Sequence, residues 1–276
     1  MTHEGPRQHF VDQGQGEPLL FVHGNPTWSF YFRHLIEQFS PQYRTVAVDH
    51  IGCGLSDKPQ TYDYCLQKHI DNLVQLIDHL NLNNTTLVAH DWGGAIGLGA
   101  LLERRSAFKK IVLLNTGAFP PPYIPFRIRV CRWPILGKIA VQGLNAFARG
   151  AVTMATERPG GLDTDVADGM LHPYQNWADR IAIHQFVKDI PLAATHRTWN
   201  VLEAIESKLA SLSDVPIKLI WGMKDWCFRP ECMERFLSHW PHADVTRLEK
   251  AGHYVLEDAP DEVTRAIAHF LEPKNG

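Results

Sequence analysis

A chain of 276 residues is long enough to bury a large core and has the size of one α/β domain carrying an insertion. Its 27 basic and 30 acidic residues leave a net charge of −3 and form no runs, which argues against a nucleic-acid partner. Five cysteines without CxxC spacing indicate neither a disulfide framework nor a zinc site, and histidines and acids lack close ligand spacing, so no metal or other cofactor is expected.

The chain opens on a polar stretch, Met1 to Phe10, without an apolar leader, which makes the cytoplasm the expected compartment. A short apolar run at 19–22 then ends at His23-Gly24-Asn25-Pro26. A helical pattern at 32–39 leads to a second apolar run, 45–48, and to the stretch from Asp49 to Pro59. Within it Gly52-Cys53-Gly54-Leu55-Ser56 has no lysine in register for a phosphate loop and reads as a turn lining a pocket. Apolar residues recur at three- and four-residue spacing over 65–80 and again over 94–104. Between these helices residues 85–88 read as a buried strand, and further runs follow at 111–114 and 217–221. Such alternation predicts a mostly parallel sheet covered by helices on both faces, an α/β architecture whose strand carboxyl ends face the ligand.

The rhythm breaks between 118 and 213, where Phe119-Pro120-Pro121-Pro122 opens an aromatic-rich segment of helical character. The expectation is a core made of 1–117 and 214–276, roofed by a helical cap of 118–213 that supplies much of an apolar pocket. Phe119, Phe147, Trp177 and Phe186 are the candidates for its lining, Trp177 as a wall residue or an anion donor. The most apolar stretch, 133–155, is interrupted by Lys138 and Arg149 and falls short of a membrane span. It is expected as an amphipathic helix beneath the cavity, with a membrane or oligomer surface as the alternative.

The chemistry centres on Ala89-His90-Asp91-Trp92-Gly93, a sharp strand-to-helix turn whose central position usually holds serine. A carboxylate held there is a nucleophile suited to saturated carbon. Such an elbow needs a histidine base from later in the chain, and that histidine needs an acid to hold its tautomer. Among 15 histidines His253 stands out, on a loop after Gly252 and before a terminal amphipathic helix. Asp225, four residues beyond the strand ending at Trp221, is the expected acid, since the alternative edge after Leu114 reads Asn115-Thr116-Gly117. Glu257 and Asp258 are explained by helix capping. Backbone N–H groups after His23 and at Trp92 are placed for an oxyanion hole. The Asn25 amide and the Trp92 indole add two uncharged donors for a departing anion such as halide.

With His23-Gly24-Asn25-Pro26-Thr27, His90-Asp91-Trp92-Gly93-Gly94 and Gly252-His253-Tyr254-Val255, the chain resembles the haloalkane dehalogenase branch of the α/β-hydrolase superfamily. The resemblance implies Asp91, His253 and Asp225 as the triad and Asn25 with Trp92 as halide ligands. It also implies hydrolytic cleavage of a carbon–halogen bond through an alkyl-aspartyl ester, with an apolar small molecule, water and halide as partners. Over the cap, Asn145-Ala146-Phe147-Ala148-Arg149, Tyr174-Gln175-Asn176-Trp177 and Lys188-Asp189-Ile190-Pro191 are similar to the β-lactone decarboxylases of bacterial olefin biosynthesis, which implies alkene and CO₂ as alternative products. Epoxide hydrolases share the aspartate elbow but carry an aromatic residue where Asn25 stands. A cofactor-free monooxygenase of the luciferase type and a non-catalytic binding protein are the remaining readings, the second requiring a broken member of the five-residue set.

Overall fold

The computed structural model describes residues 5–272, so the first four residues of the polar start lie outside it. Seven strands form one sheet in the order β1-β3-β2-β4-β5-β6-β7. They are β1 (Phe10–Gln13), β2 (Pro18–Val22), β3 (Arg44–Val48), β4 (Thr85–Asp91), β5 (Phe108–Thr116), β6 (Ile217–Gly222) and β7 (Asp244–Leu248). β1 runs antiparallel to β3 and all other pairs are parallel. β2, β4 and β6 are buried at every position, as strands covered on both faces must be. The edge strands β1 and β7 are half-exposed, which is why a search for apolar runs passes over them.

Helices α1 (Arg33–Phe39), α2 (Leu66–His79) and α3 (Trp92–Glu103) follow β2, β3 and β4. On α2 the buried Leu66, Ile70, Leu73, Val74 and Ile77 recur at three- and four-residue spacing, one stripe against the sheet. Every residue of α3 from Gly93 to Leu101 is buried, because α2 covers its outer side. Between β5 and β6 lie only helical elements among the described residues: α4 (Phe126–Val130), α5 (Leu136–Lys138), α6 (Ala146–Met154), α7 (Thr164–Leu171), α8 (Ile181–Asp189) and α9 (Arg197–Glu206). Arg180 knots this layer together, donating to the carbonyls of Tyr174, Gln142, Gly143 and Gln175. α9, however, packs directly on α2 and α3, and its Leu202 and Ile205 join a core cluster that Ile181, Ala182 and Phe186 of α8 also reach. We propose on this packing that the cap ends near residue 190 and that α9 belongs with the core. The chain closes with α10 (Pro230–His239), α11 (Val255–Asp258) and α12 (Pro260–Leu271).

Among the buried imidazoles, His23, His50, His69 and His90 tie the fold to pH. Burial lowers the pKa of each, that of His69 to about 3. These rings are neutral in the fold and take up a proton on unfolding below about 6.5, so their contribution is full above that pH and is lost as pH falls toward the folded value. For His69 alone the loss at about pH 5 is on the order of 2 kcal/mol. His9 and His253, raised by neighbouring carboxylates, and the buried Asp91 and Asp189 carboxyls, raised by burial, act in the opposite direction, while His184, lowered to about 4 by burial, adds to the first set. The melting temperature at about pH 5 is therefore expected to lie about 4 °C or more below that at pH 7.5. A calorimetric melt that stays level across this range would show the four rings to be protonated inside the fold.

Candidate active site

β4 delivers Asp91 at the carboxyl edge of the sheet and α3 begins at the next residue. Asp91 holds φ 54° and ψ −131°, a conformation that strains any residue with a side chain and that the surroundings must enforce. Two glycines permit the approach. A Cβ on Gly93 would run into the Val22 carbonyl, and one on Gly24 into the Asp91 carboxylate itself. Thr116 at the end of β5 donates its hydroxyl to the Asp91 carbonyl and pins the turn from the other side.

The Asp91 carboxylate points into a set of donors. Oδ1 accepts the Asn25 backbone N–H at 2.6 Å, and the Trp92 backbone N–H also donates to the carboxylate. Oδ2 lies 3.6 Å from His253 Nε2. His253 Nδ1 in turn meets Asp225 Oδ2 at 2.8 Å, which fixes the ring with Nε2 toward Asp91. Asp225 is held by the Cys227 N–H at 2.6 Å and by the Asn115 amide at 2.9 Å. Asn115 also exchanges bonds with the N–H and carbonyl of Gly222, so one side chain clamps β5 to β6 and aims the acid. Phe228 stacks on the far face of the imidazole, with centroids 5.7 Å apart.

Burial raises the Asp91 pKa, against which His253 and the two backbone donors work. For His253 burial works downward, but Asp225 first and Asp91 after it outweigh it, leaving the imidazole raised. The basicity of His253 thus depends on the charge of Asp91. Any change that neutralised that carboxylate would remove a negative neighbour and lower the imidazole pKa toward its neutral, basic form.

Asn25, Trp92, Asp91 and His253 line one cavity of about 190 Å³. The Trp92 indole N–H has no acceptor among the described residues. The Asn25 amide gives one hydrogen to the Ile183 carbonyl at 3.2 Å, which leaves a second for an occupant. The walls are mostly apolar: Phe119 and Phe147 are among them, with Ile128, Leu202 and Phe228. Phe186 does not reach the cavity and instead packs behind Trp92, with centroids 5.7 Å apart. Trp177 lies outside the cavity and is 44% exposed, with Lys138 over its indole. The 52–56 turn is likewise absent from the lining; the Asp49 carboxylate gathers the N–H groups of Ser29 and Leu55 and folds it beneath the cap.

Glu257 and Asp258 do not cap α11. Glu257 forms a two-pronged pair with Arg33 at 2.7 and 2.8 Å, and Asp258 receives the N–H groups of Gly252 and Glu157 together with the Thr156 hydroxyl. Both acids are thus spent on holding the histidine loop against the core and the cap. Asn115 is the residue that sequence reading missed, although its place at the carboxyl end of a central strand was the available signal.

A family model described as alpha/beta hydrolase fold matches residues 17–136. A cis-3-alkyl-4-alkyloxetan-2-one decarboxylase of Shewanella oneidensis is 40% identical over 98% of this chain and 87% of its own length. The haloalkane dehalogenase 2 of Mycobacterium bovis is 31% identical over 95% of this chain and 90% of that protein. The crystal structure of a haloalkane dehalogenase from Agrobacterium tumefaciens superposes with a TM-score of 0.87 at 25% identity, covering 97% and 93% of the two chains. Likeness of this extent, reaching through core and cap together, places the chain in the haloalkane dehalogenase family of the α/β-hydrolase superfamily, the branch that also holds the β-lactone decarboxylases.

Proposed function

We propose that Asp91 is a nucleophile that displaces an anionic leaving group from saturated carbon, and that the substrate is a cis-3,4-dialkyl β-lactone. The observation that carries the chemistry is the Asp91 carboxylate itself, with Oδ1 held by the Asn25 backbone N–H and Oδ2 facing His253 in a mostly apolar cavity. Oδ2 attacks the ring carbon bonded to the ring oxygen; that C–O bond breaks and its electron pair leaves on the carboxylate. The Trp92 indole and the free Asn25 hydrogen receive the anion. The C–CO₂ bond then supplies the electrons of a new C=C bond as Asp91 departs, giving alkene and CO₂ and restoring the enzyme. The lactone is favoured by the 40% identity with the decarboxylase, which extends through the cap.

A second reading, haloalkane dehalogenation, draws support from the His253–Asp225 pair, since elimination of CO₂ consumes no water. Here halide leaves toward Asn25 and Trp92, and His253 activates water to attack the ester carbonyl of Asp91, releasing alcohol. The discriminating assay measures headspace alkene and CO₂ from a synthetic cis-dialkyl β-lactone beside halide from 1-bromohexane on one enzyme sample. We expect kcat/KM for the lactone to exceed that for the bromoalkane by about 100-fold, a difference of on the order of 3 kcal/mol in transition-state binding. Halide release that outpaces alkene would make the dehalogenase the native activity.

A further inference from the structure

The cap carries a surface that the proposed chemistry does not explain. Residues 119–156 contain no acid and five basic residues, Arg127, Arg129, Arg132, Lys138 and Arg149. None of the five forms an ion pair among the described residues: Arg127 lies over Trp226, Lys138 over Trp177, and Arg132 donates to the carbonyls of Val187 and Ile190. Interleaved with these charges are large apolar side chains in solvent, Phe126 at 71% exposure, Ile135 at 72% and Leu144 at 69%, with Trp133, Leu136 and Ile139 about half exposed or more.

The pattern differs from that of an ordinary surface helix. From Leu136 to Gly143 the buried residues are Gly137, Val141 and Gln142, while the exposed face carries the apolar Leu136 and Ile139 beside Lys138. Large apolar side chains left on the outer face of a helix normally meet a partner surface or lipid. Long basic side chains with tryptophan among them are the composition of surfaces that rest in a bilayer headgroup layer. No described helix is long and apolar enough to cross a membrane, so contact at the surface is the geometry available. The cavity reaches solvent at this same face, since its walls include the exposed Tyr123, Arg127 and Met154.

We propose that the face built from α4, α5 and the start of α6 docks the enzyme on an anionic bilayer, with the cavity mouth turned toward the acyl chains. Charge complementarity selects this occupant. A second copy would bring two unneutralised basic faces together, and a protein partner covering the patch would close the mouth. Docking explains how a water-poor substrate reaches a buried carboxylate without crossing solvent. That consequence rests on the apolar-substrate reading, whereas docking itself is measured without turnover, so either can fail alone.

The test is flotation of the full chain with vesicles of phosphatidylcholine alone or with about 30% phosphatidylglycerol. We expect binding to the anionic vesicles, at least about tenfold weaker binding to the neutral ones, and loss of binding between about 50 and 500 mM salt. Neutralising two charges in Arg129→Gln/Lys138→Gln should weaken binding about 25-fold, about fivefold per charge. Leu136→Glu/Ile139→Glu should abolish it. All four side chains are exposed and outside the cavity, so turnover of a short soluble substrate should be unchanged and serves as the check on folding. Absence of flotation, or flotation indifferent to both variants, overturns the proposal. So would variants that leave vesicle binding intact and change only the sedimentation coefficient of the free protein, because the face would then be a protein interface.

Discussion

Replacing Asp91 with asparagine is expected to lower turnover of lactone and haloalkane alike by about ten-thousand-fold or more, the scale of losing a covalent nucleophile. The amide keeps an oxygen for the Asn25 and Trp92 N–H groups, so the elbow and its hydrogen bonds survive while the attacking oxygen becomes a nitrogen without a useful lone pair. No neighbouring acid can substitute, because Asp225 lies behind His253 and is engaged by Asn115 and Cys227. Stability should hold or rise: burial works against the charged form of Asp91, and the strained backbone is set by Gly93 and Thr116 rather than by the carboxylate. A thermal melt separates this outcome from misfolding. Alanine at the same position guards against recovery of the acid by hydrolysis of the amide beside His253. Either variant retaining more than about 1% of activity would move the nucleophile elsewhere.

The parts of this molecule that were readable in one dimension are those whose physics is local. The sharp strand-to-helix turn at Asp91 writes itself as small residues around the central one, because β4, α3 and β2 meet within van der Waals contact there. Buried parallel strands write themselves as apolar runs, so β2 to β6 were visible. β1 and β7 were not, since edge strands alternate weakly and carry Asp12, Asp244 and Arg247 into solvent. Asp225, His253, Asn25 and Trp92 come together with Asp91 across four different strand ends, and their assignment needed the fold as an intermediate.

What stayed hidden are features set by tertiary partners. Trp177 reads as a pocket aromatic, yet it stands on the outer side of the cap with Lys138 over its ring. Phe186 reads the same way, yet it serves one layer back, between Trp92 and the His69 ring that stacks on it with centroids 4.4 Å apart. α9 has the same helical pattern as its predecessors, and the proposal that it belongs with the core rests on its contact with α2 and α3, which no local pattern displays. Asn115 was dismissed as an empty acid position, although an amide there can do what an acid cannot, donating to Asp225 while accepting from Gly222.

Replacing His253 with phenylalanine should divide the two activities that the other residues leave entangled. With 1-bromohexane the first displacement still proceeds, because Oδ2 of Asp91 needs no proton removed, but the ester then meets no base. Halide release is expected to stop after one equivalent per enzyme, with steady-state turnover down by about a thousand-fold or more and one hexyl group carried on Asp91 in the intact mass. With the β-lactone the ester is consumed by loss of CO₂, a step that takes up no water, so alkene formation should fall by no more than about tenfold. The ring of phenylalanine fills the place of the imidazole beside Phe228, and Asp225 keeps its bonds to Asn115 and Cys227, which limits the cost of leaving that acid unpaired. Peptide mapping locates the alkyl group. An unmodified mass after exposure to the bromoalkane, together with lost alkene formation, would remove the covalent aspartyl ester from both schemes, and with it the reason for placing a carboxylate at a serine elbow.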